Sequence, residues 1–334
     1  MRIAVDAMGS DNYPVPDVAG ALLAGRELGD TIILVGRESL INSELSRQDT
    51  GGINIEIVHT DEAVKMDDKP SVVGKSKPRS SMRVGMDLVK DGKADAFVTM
   101  GNTGAALAIA ILYSLHRIPG VKRPALGQII RLGELKVMAL DIGANADSKP
   151  EWLVQFALMG KIYAQNVLKL PTPRIALLSN GEEEGKGNQL IHEASALIQA
   201  LEVNYVGNVE PKDVLSGKAD VVVSDGFVGN IAVKTFEASA SYLGEMIRDE
   251  LTRDVFSMIA GLLARPALRR VYKRVDPFEI GGALLLGVNG VVIIGHGRSN
   301  AKAVKNAIRQ AHEAVTGQIV EAIGSGLVKT LGQD

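Results

Sequence analysis

The sequence predicts an α/β protein: a Rossmann-like α/β/α sandwich with a mostly parallel sheet covered by helices on both faces. Short apolar runs rich in Val and Ile recur along its 334 residues, as strands buried on both faces require. Amphipathic stretches separate most of these runs. The 36 glycines follow no repeat, which is typical of tight strand-to-helix turns. We assign residues 1–334 to a single catalytic domain, since this length can bury one large core.

The order of the predicted elements alternates between strand and helix over most of the chain. The predicted strands are residues 2–6, 31–35, 53–58, 96–99, 136–141, 174–179, 203–206, 219–224 and 291–294. The clearest predicted helices are residues 18–28, 81–90, 151–167 and 189–200. This alternation is the pattern expected of parallel strands joined by helical crossovers.

Composition excludes several classes of function. The chain has no Cys, which rules out disulfides, thiolate nucleophiles and Cys-based metal sites. A net charge of −2 indicates no general attraction to nucleic acid. The chain opens directly on an apolar strand without a basic leader, and no apolar run approaches the roughly 18 residues of a membrane span. We therefore expect a cytoplasmic protein without a secretion signal.

Six predicted strands end in Asp, Asn or His beside a glycine. Any one of these ends is explained by a turn or a helix cap. Because ligands of parallel α/β sheets bind beyond the carboxyl ends of the strands, all six together predict a shared polar site on one edge. The candidate binding residues at these ends are Asp6, Gly9, Asn102, Thr103, Asp141, Asn145, Asp225, Gly229 and His296.

The sequence contains no complete dinucleotide-binding, P-loop or histidine-based metal motif. Residues 6–11 do not fit a dinucleotide fingerprint, and residues 181–188 are one residue too short for a P-loop, with Gly187 where a Ser or Thr should hold magnesium. The five His residues show no metal-ligand spacing. We expect no cofactor, although a metal site built from Asp and Asn stays open.

Lys186 stands between two glycines just before the helix that begins near Asn188. An ammonium group and the free backbone amides of a helix N-terminus together suit a small anion such as phosphate. A solvent-facing Lys in a charged loop is the simpler alternative. The flanking glycines favour contact with a ligand, so we take Lys186, Gly187 and Asn188 as a phosphate loop.

Taken together, the strand ends resemble the phosphate acyltransferases known as PlsX. The matching segments follow one another over nearly the whole chain, at residues 3–9, 101–105, 123–125, 141–145, 149–151, 186–188, 207–210, 225–230, 281–283 and 295–297. The chain departs from the family pattern at Ser10, Ile280 and Arg298. None of these departures removes a polar group from the proposed site, and Arg298 adds a cation.

The resemblance implies a fold like that of isocitrate dehydrogenase and phosphotransacetylase, and a homodimer. It implies transfer of a fatty acyl group from acyl carrier protein to inorganic phosphate, giving an acyl phosphate for phospholipid synthesis. A glycerol-3-phosphate acyltransferase that uses the acyl phosphate would then act downstream. Lys186 and Asn230 are the two catalytic residues that the resemblance implies.

Phosphate is itself the nucleophile of such a reaction, so no covalent intermediate is needed. The enzyme must hold a dianion beside a thioester carbonyl and stabilise the oxyanion that forms. We expect Asn230, or the amides of Asn102 and Thr103, to donate to that oxyanion. Asp225, His296 and Asp6 are the candidates for orienting phosphate or moving a proton.

A helical segment at about residues 236–278 is predicted to protrude from the domain. It joins an apolar stretch at 255–264 to basic residues, with an interruption at Pro266. This combination suits an anionic membrane surface, while docking of the acidic carrier protein and packing in a dimer stay open. The predicted membrane contacts are Phe256, Ile259, Leu262, Leu263, Arg265, Arg269 and Arg270. We thus expect peripheral membrane association.

Three other functions stay open at this point. A phosphotransacetylase that uses coenzyme A is the nearest enzyme alternative. A metal-dependent dehydrogenase on the same fold lacks a dinucleotide signature, and a non-catalytic membrane-associated scaffold would not need a cluster of polar strand ends.

Overall fold

The computed structural model describes residues 1–133, 135–275 and 279–331. The strands in this part of the chain are Arg2–Asp6 (β1), Thr31–Gly36 (β2), Ile55–His59 (β3), Ala96–Thr99 (β4), Ala125–Leu132 (β5), Leu135–Leu140 (β6), Ile175–Leu178 (β7), Tyr205–Val209 (β8), Val221–Val223 (β9), Ala283–Leu286 (β10) and Val291–Ile294 (β11). The helices are Val15–Leu28 (α1), Glu38–Leu45 (α2), Pro70–Ser76 (α3), Ser81–Lys90 (α4), Thr103–Ile109 (α5), Pro150–Asn166 (α6), Gln189–Gln199 (α7), Pro211–Ser216 (α8), Gly226–Leu251 (α9), Val255–Val275 (α10), Ala301–Thr316 (α11) and Ile319–Leu331 (α12). A π-helical turn, Ala110–Ser114, extends α5.

All described strands form one sheet in the order β3-β2-β1-β4-β11-β10-β5-β6-β9-β7-β8. Helices cover both faces, and alternate residues of a strand serve opposite cores. In β1, Ile3 and Val5 pack under α1 and α11, whereas Ala4 faces the core beneath α4 and α5. This two-sided burial explains the unbroken apolar runs, and it confirms the predicted α/β class with a mostly parallel sheet.

The sheet reverses direction at its centre. β11 is antiparallel to β10, β10 to β5, and β5 to β6, whereas every other neighbouring pair of described strands is parallel. Three reversals make β6, β9, β7 and β8 run opposite to β1, β4 and β11. The expectation of one edge with six polar strand ends was therefore wrong: three ends lie on one edge and three on the other.

The two halves nevertheless end at nearly the same level along the sheet. Leu140, the last residue of β6, pairs with Gly127, and Gly127 pairs with Leu284, which pairs with Ile293. The end of β6 is thus level with the residue before the end of β11. Loops from opposite edges consequently meet near the two central strands, β5 and β10.

Helix α9 bridges the two halves. It begins directly after β9, on the edge where β6 ends, and its residue Glu237 lies beside His296, which follows β11 on the other edge. A helix rises about 1.5 Å per residue, so the residues from Gly226 to Glu237 span roughly 17 Å across the sheet face. This helix is the element that can join both sets of strand ends in one site.

Beyond Glu237, α9 continues into a hairpin with α10. A Cβ on Gly244 of α9 would lie 3.3 Å from the Tyr272 ring of α10, so the two helices pack closely there. Helix α10 continues through Pro266, so the predicted interruption there was wrong. One internal proline removes a single backbone hydrogen bond, and a helix can absorb that loss as a kink. Residues 276–278, the end of the predicted protruding segment, lie outside the described part of the chain.

Candidate active site

A cavity of about 250 Å³ lies over the central strands, between α9 and the loops of both sheet halves. It is lined by Thr103, Leu126, Gln128, Ile142, Gly143, Asn230, Val233, Lys234, Glu237, Ile280, Gly281, Gly282, Ala283, Ile294, Gly295 and His296. The lining combines an apolar floor with a few polar side chains, which is the composition of a small-molecule site. Of the predicted site residues, Thr103, Asn230 and His296 line it.

Asp141 follows β6 directly and holds together the loop that begins there, next to the cavity. Its buried carboxylate accepts hydrogen bonds from the amides of Leu126 and Asn145 at 3.0 and 2.8 Å and from those of Gly143 and Ala144 at 3.1 and 3.0 Å. The Asn145 side chain adds a fifth, at 2.9 Å, and also donates to the Pro124 carbonyl. Burial raises the pKa of Asp141, and these hydrogen bonds act in the opposite direction. Asp141 and Asn145 therefore hold the loop together rather than face the cavity.

Two glycines let α9 begin directly on this loop. A Cβ on Gly229 would overlap the Asp141 carbonyl oxygen, and one on Gly226 would lie 2.5 Å from the Asn145 carbonyl oxygen. Asp225 is the N-cap of α9, since its Oδ1 accepts from the Val228 amide at 2.8 Å. This packing places half-buried Asn230 beside Gly143 at the cavity wall.

Asp6 is the last residue of β1, and Gly9 follows it in the loop on the opposite edge. The Asp6 carboxylate is buried and accepts from the Thr99 hydroxyl at 2.8 Å and from the Met8 amide at 3.1 Å. Burial raises the pKa of Asp6, and these bonds oppose the rise. Gly9 packs against the same Thr99, where a Cβ would approach the hydroxyl to 2.8 Å. Both residues shape the loop behind the cavity.

Asn102 and Thr103 open helix α5. The Asn102 Oδ1 caps the helix by accepting from the Ala105 amide at 3.0 Å, while its amide nitrogen donates to the carbonyls of Met66 and Asp68. Asn102 is therefore fully engaged with backbone, and Thr103 is the residue that faces the cavity.

The loop that carries Lys186 is held by two asparagines. Asn208 donates to the carbonyls of Glu183 and Lys186 at 3.2 Å each, and the Asn180 Oδ1 accepts from the Gly187 amide at 3.0 Å. Gly187 has a φ of +106°, a conformation that favours glycine. Asn188 caps α7.

Lys186 itself is exposed. It follows β7, on the same sheet edge as Asp141 and Asp225, and it is not among the residues that line the cavity. In the same loop, Glu182 forms ion pairs with Lys212 and Lys218, so its charge is largely balanced. These contacts hold the pKa of Glu182 below its usual range.

Glu237 and Lys234 line the cavity but were not predicted as site residues. Glu237 is buried, with His296 Nε2 3.6 Å from its Oε1 and the Arg298 guanidinium 3.9 Å from its Oε2. A signal was present in the sequence, because residues 230, 233, 234 and 237 share the i, i+3, i+4, i+7 spacing of one helix face.

Residues 1–322 match the family described as "Fatty acid synthesis protein". A phosphate acyltransferase of Trichlorobacter lovleyi is 46% identical over 99% of this chain and 96% of its own. One of Geotalea uraniireducens is 49% identical over 94% of this chain and 90% of its own. The chain belongs to this family. The resemblance to the PlsX phosphate acyltransferases is thereby confirmed, and the membership supports an acyltransferase activity.

Solved structures support the same fold at low sequence identity. A phosphotransacetylase of Streptococcus pyogenes superposes with a TM-score of 0.59 at 17% identity, over 96% of this chain and 94% of its own. A branched-chain phosphotransacylase of Enterococcus faecalis gives 0.57 at 18%, over 94% and 99%. The predicted likeness to the phosphotransacetylase fold is confirmed. Within the described residues, no helix combines the length and apolarity that a membrane span needs.

Proposed function

We propose that the enzyme transfers a fatty acyl group from acyl carrier protein to inorganic phosphate and releases an acyl phosphate. The observation that carries this proposal is the near-full-length similarity to proteins named phosphate acyltransferase. The carrier as donor, and the use of the product in phospholipid synthesis by an acyl-phosphate-dependent glycerol-3-phosphate acyltransferase, follow from the family resemblance.

The proposed phosphate site is the loop of Lys186, Gly187 and Asn188. Lys186 is exposed and supplies a positive charge, and the positive φ of Gly187 at the start of α7 favours close approach of an anion to the backbone. We place phosphate in this loop because the loop lies on the same sheet edge as the start of α9, and α9 lines the cavity.

The proposed site of the thioester carbonyl is the cavity wall at Asn230. The Asn230 amide can donate to an oxyanion that forms beside Gly143, and Thr103 faces the same space from the other sheet half. Leu126, Ile142 and Val233 give this space an apolar side that suits the first carbons of an acyl chain.

Product trapping with hydroxylamine tests this function. Acyl carrier protein thioester and phosphate should give an acyl hydroxamate and free carrier thiol in equal amounts, both dependent on phosphate. Lys186→Ala should lose nearly all of this turnover, whereas Lys329→Ala on the distant α12 should keep it. Carrier release without phosphate dependence, or normal turnover in Lys186→Ala, would contradict the proposal.

The hairpin of α9 and α10 is the proposed contact with an anionic membrane. Phe256, Leu262 and Leu263 are 84%, 68% and 77% exposed, and Ile259 is 54% exposed. The exposed arginines Arg265, Arg269 and Arg270 follow within the same helix. Apolar side chains next to cations favour binding at the surface of an anionic bilayer. Docking of the carrier and packing in the proposed homodimer are the alternatives.

A further inference from the structure

One buried carboxylate of the cavity has an oxygen without a hydrogen-bond partner. Glu237 is 8% exposed, lines the cavity, and its Oε1 finds no donor within hydrogen-bond distance. A buried oxygen without a hydrogen-bond partner destabilises the fold, and more so when it belongs to a charged group. Such a group in a cavity wall indicates a partner that arrives or closes in during function.

The nearest donor is His296. Its Nε2 lies 3.6 Å from Glu237 Oε1, slightly beyond a hydrogen bond, and catalytic hydrogen bonds are often this long before a ligand binds. His296 is about half exposed and lines the same cavity. A small rotation of either side chain would bring His296 Nε2 within hydrogen-bond distance of Glu237 Oε1.

Cations surround the pair and keep Glu237 ionised. Burial alone would raise its pKa, but the contact with His296 and the charges of His296, Arg298 and Lys234 outweigh burial and lower the pKa of Glu237. Lys234 comes from α9 and Arg298 from the loop after β11. Asp11, on the loop after β1, is the further charged group close by, where its side chain meets Gly297.

We propose that Glu237 is a positioning residue that orients His296 as the proton carrier of the acyl transfer. With Nε2 directed at the carboxylate, Nδ1 is the ring nitrogen that can exchange a proton with a ligand in the cavity. Glu237 also stabilises the imidazolium that forms, as a carboxylate behind a catalytic histidine does. This inference rests on the proposed function, since it assigns the proton step of that reaction.

The step balances without any further reactant. His296 Nδ1 takes the proton of monohydrogen phosphate as the phosphate oxygen attacks the thioester carbon and the O–C bond forms. The C–S bond then breaks, and the imidazolium gives the same proton to the departing sulfur. The products are an acyl phosphate and a free thiol, and His296 returns to its neutral form.

The test combines ¹⁵N NMR of the histidine rings with a pH profile of activity, both on the full chain. Glu237→Gln keeps the side-chain volume, and Glu321→Gln on the exposed side of α12 is the matched control. The resonance of His296 is identified as the imidazole signal that His296→Asn lacks. In wild type the ¹⁵N shifts should place the ring proton of neutral His296 on Nε2, and in Glu237→Gln this preference should be lost, because the hydrogen bond of one ring nitrogen sets which nitrogen carries the proton.

The kinetic arm measures kcat with the phosphate dianion kept saturating at every pH. Glu237→Gln should lower kcat at least about tenfold, with KM for phosphate little changed, since proton transfer by a well-placed group contributes about a hundredfold or more. The acidic limb of the profile should move to lower pH, because the variant lacks the carboxylate that stabilises an imidazolium. Glu321→Gln should follow the wild type.

The outcomes separate this inference from the proposed function. An unchanged His296 tautomer in Glu237→Gln, or a uniform loss of kcat without movement of the acidic limb, overturns the positioning role while acyl phosphate is still made. A wild-type enzyme that makes no acyl phosphate from carrier thioester and phosphate overturns both. Thermal unfolding of each variant distinguishes a loss of kcat from a loss of fold.

Discussion

At the scale of single residues, close approach of backbone decides where a proposed catalytic group, Asn230, lies. Gly229 lets the first turn of α9 rest on the Asp141 carbonyl, and this contact fixes Asn230 beside Gly143. Alanine is normally favoured over glycine within a helix by about 1 kcal/mol. Here the added methyl group would meet a backbone oxygen that cannot rotate away.

We therefore expect Gly229→Ala to destabilise the fold by about 1–3 kcal/mol, the usual effect of overpacking. Urea unfolding measures this change. Gly185→Ala is the control, because a Cβ there meets nothing within 4 Å. Equal stability of Gly229→Ala and wild type would mean that α9 does not rest on Asp141 as described.

A second residue-scale prediction concerns Asp17, which is fully buried in the first turn of α1. Its Oδ2 accepts from the Ser10 hydroxyl at 2.5 Å, and burial, with a smaller contribution from the charge of Asp6, raises its pKa from 3.8 to about 7. Because the folded-state pKa is the higher one, Asp17 stabilises the fold at low pH. That stability is lost as the pH rises from about 4 through about 7.

Asp17→Asn cannot ionise and should escape this loss. Its free energy of unfolding, relative to wild type, should increase between pH 4.5 and pH 8 by about 3 kcal/mol, since one pKa unit is worth about 1.4 kcal/mol and part of the shift lies below pH 4.5. Urea unfolding at pH 4.5, 6 and 8 measures the difference. The exposed Asp147→Asn should show no such trend, and a gap for Asp17→Asn that does not change with pH would contradict the assignment.

At this scale the sequence predicted several polar residues of the cavity, but not a residue that is proposed to act through a neighbouring side chain. Asn230, Thr103 and His296 were predicted and line the cavity, because polar residues at strand ends are visible in the sequence. Asp225, Asn102 and Asn188 turned out to cap helices. Glu237 was missed because its role depends on a strand, β11, that follows more than fifty residues later in the chain.

At the scale of elements, the nine predicted strands all exist, and the two that were missed are β5 and β10. β5 contains Gln128 and Arg131, which break an apolar run, and β10 has only four residues. The sequence does place a glycine, Gly133, between the two runs, and in the structure Gly133 has a φ of +69° in the turn between β5 and β6. These two strands carry the antiparallel pairings, so without them every strand end fell on one edge.

The hairpin of α9 and α10 carries its own prediction. Leu262→Glu with Leu263→Glu should remove binding to vesicles that contain phosphatidylglycerol, and added salt should weaken wild-type binding because the arginine contribution is screened. Leu112→Glu, at a leucine that is 60% exposed outside the hairpin, is the matched control. Co-sedimentation measures the bound fraction.

Other results for the hairpin variant point to its alternatives. Unchanged vesicle binding contradicts membrane contact. If the KM for acyl carrier protein rises instead, the hairpin docks the carrier, and if light scattering shows a monomer in place of the proposed dimer, the hairpin packs between subunits.

At the scale of the whole molecule, the opposed sheet halves place the two sets of loops around one central cavity. The start of α9, with Asn230, comes from one half, and Thr103 and His296 come from the other. The proposed phosphate loop lies outside the cavity lining, on the same sheet edge as the start of α9. Composition and periodicity predicted the layers of this fold, because a strand buried on both faces is an unbroken run of apolar residues. They did not predict the reversal of strand direction, because no short stretch of residues indicates which distant strands will pair.

The most direct test of this account compares acyl donors in one assay. The enzyme receives the same acyl chain on acyl carrier protein and on coenzyme A, with inorganic phosphate as acceptor, and ³¹P NMR follows the acyl phosphate. We expect acyl phosphate from the carrier thioester with the higher kcat/KM, and loss of that signal in Lys186→Ala. A higher kcat/KM with the coenzyme A thioester, or carrier turnover that yields no acyl phosphate, would contradict it.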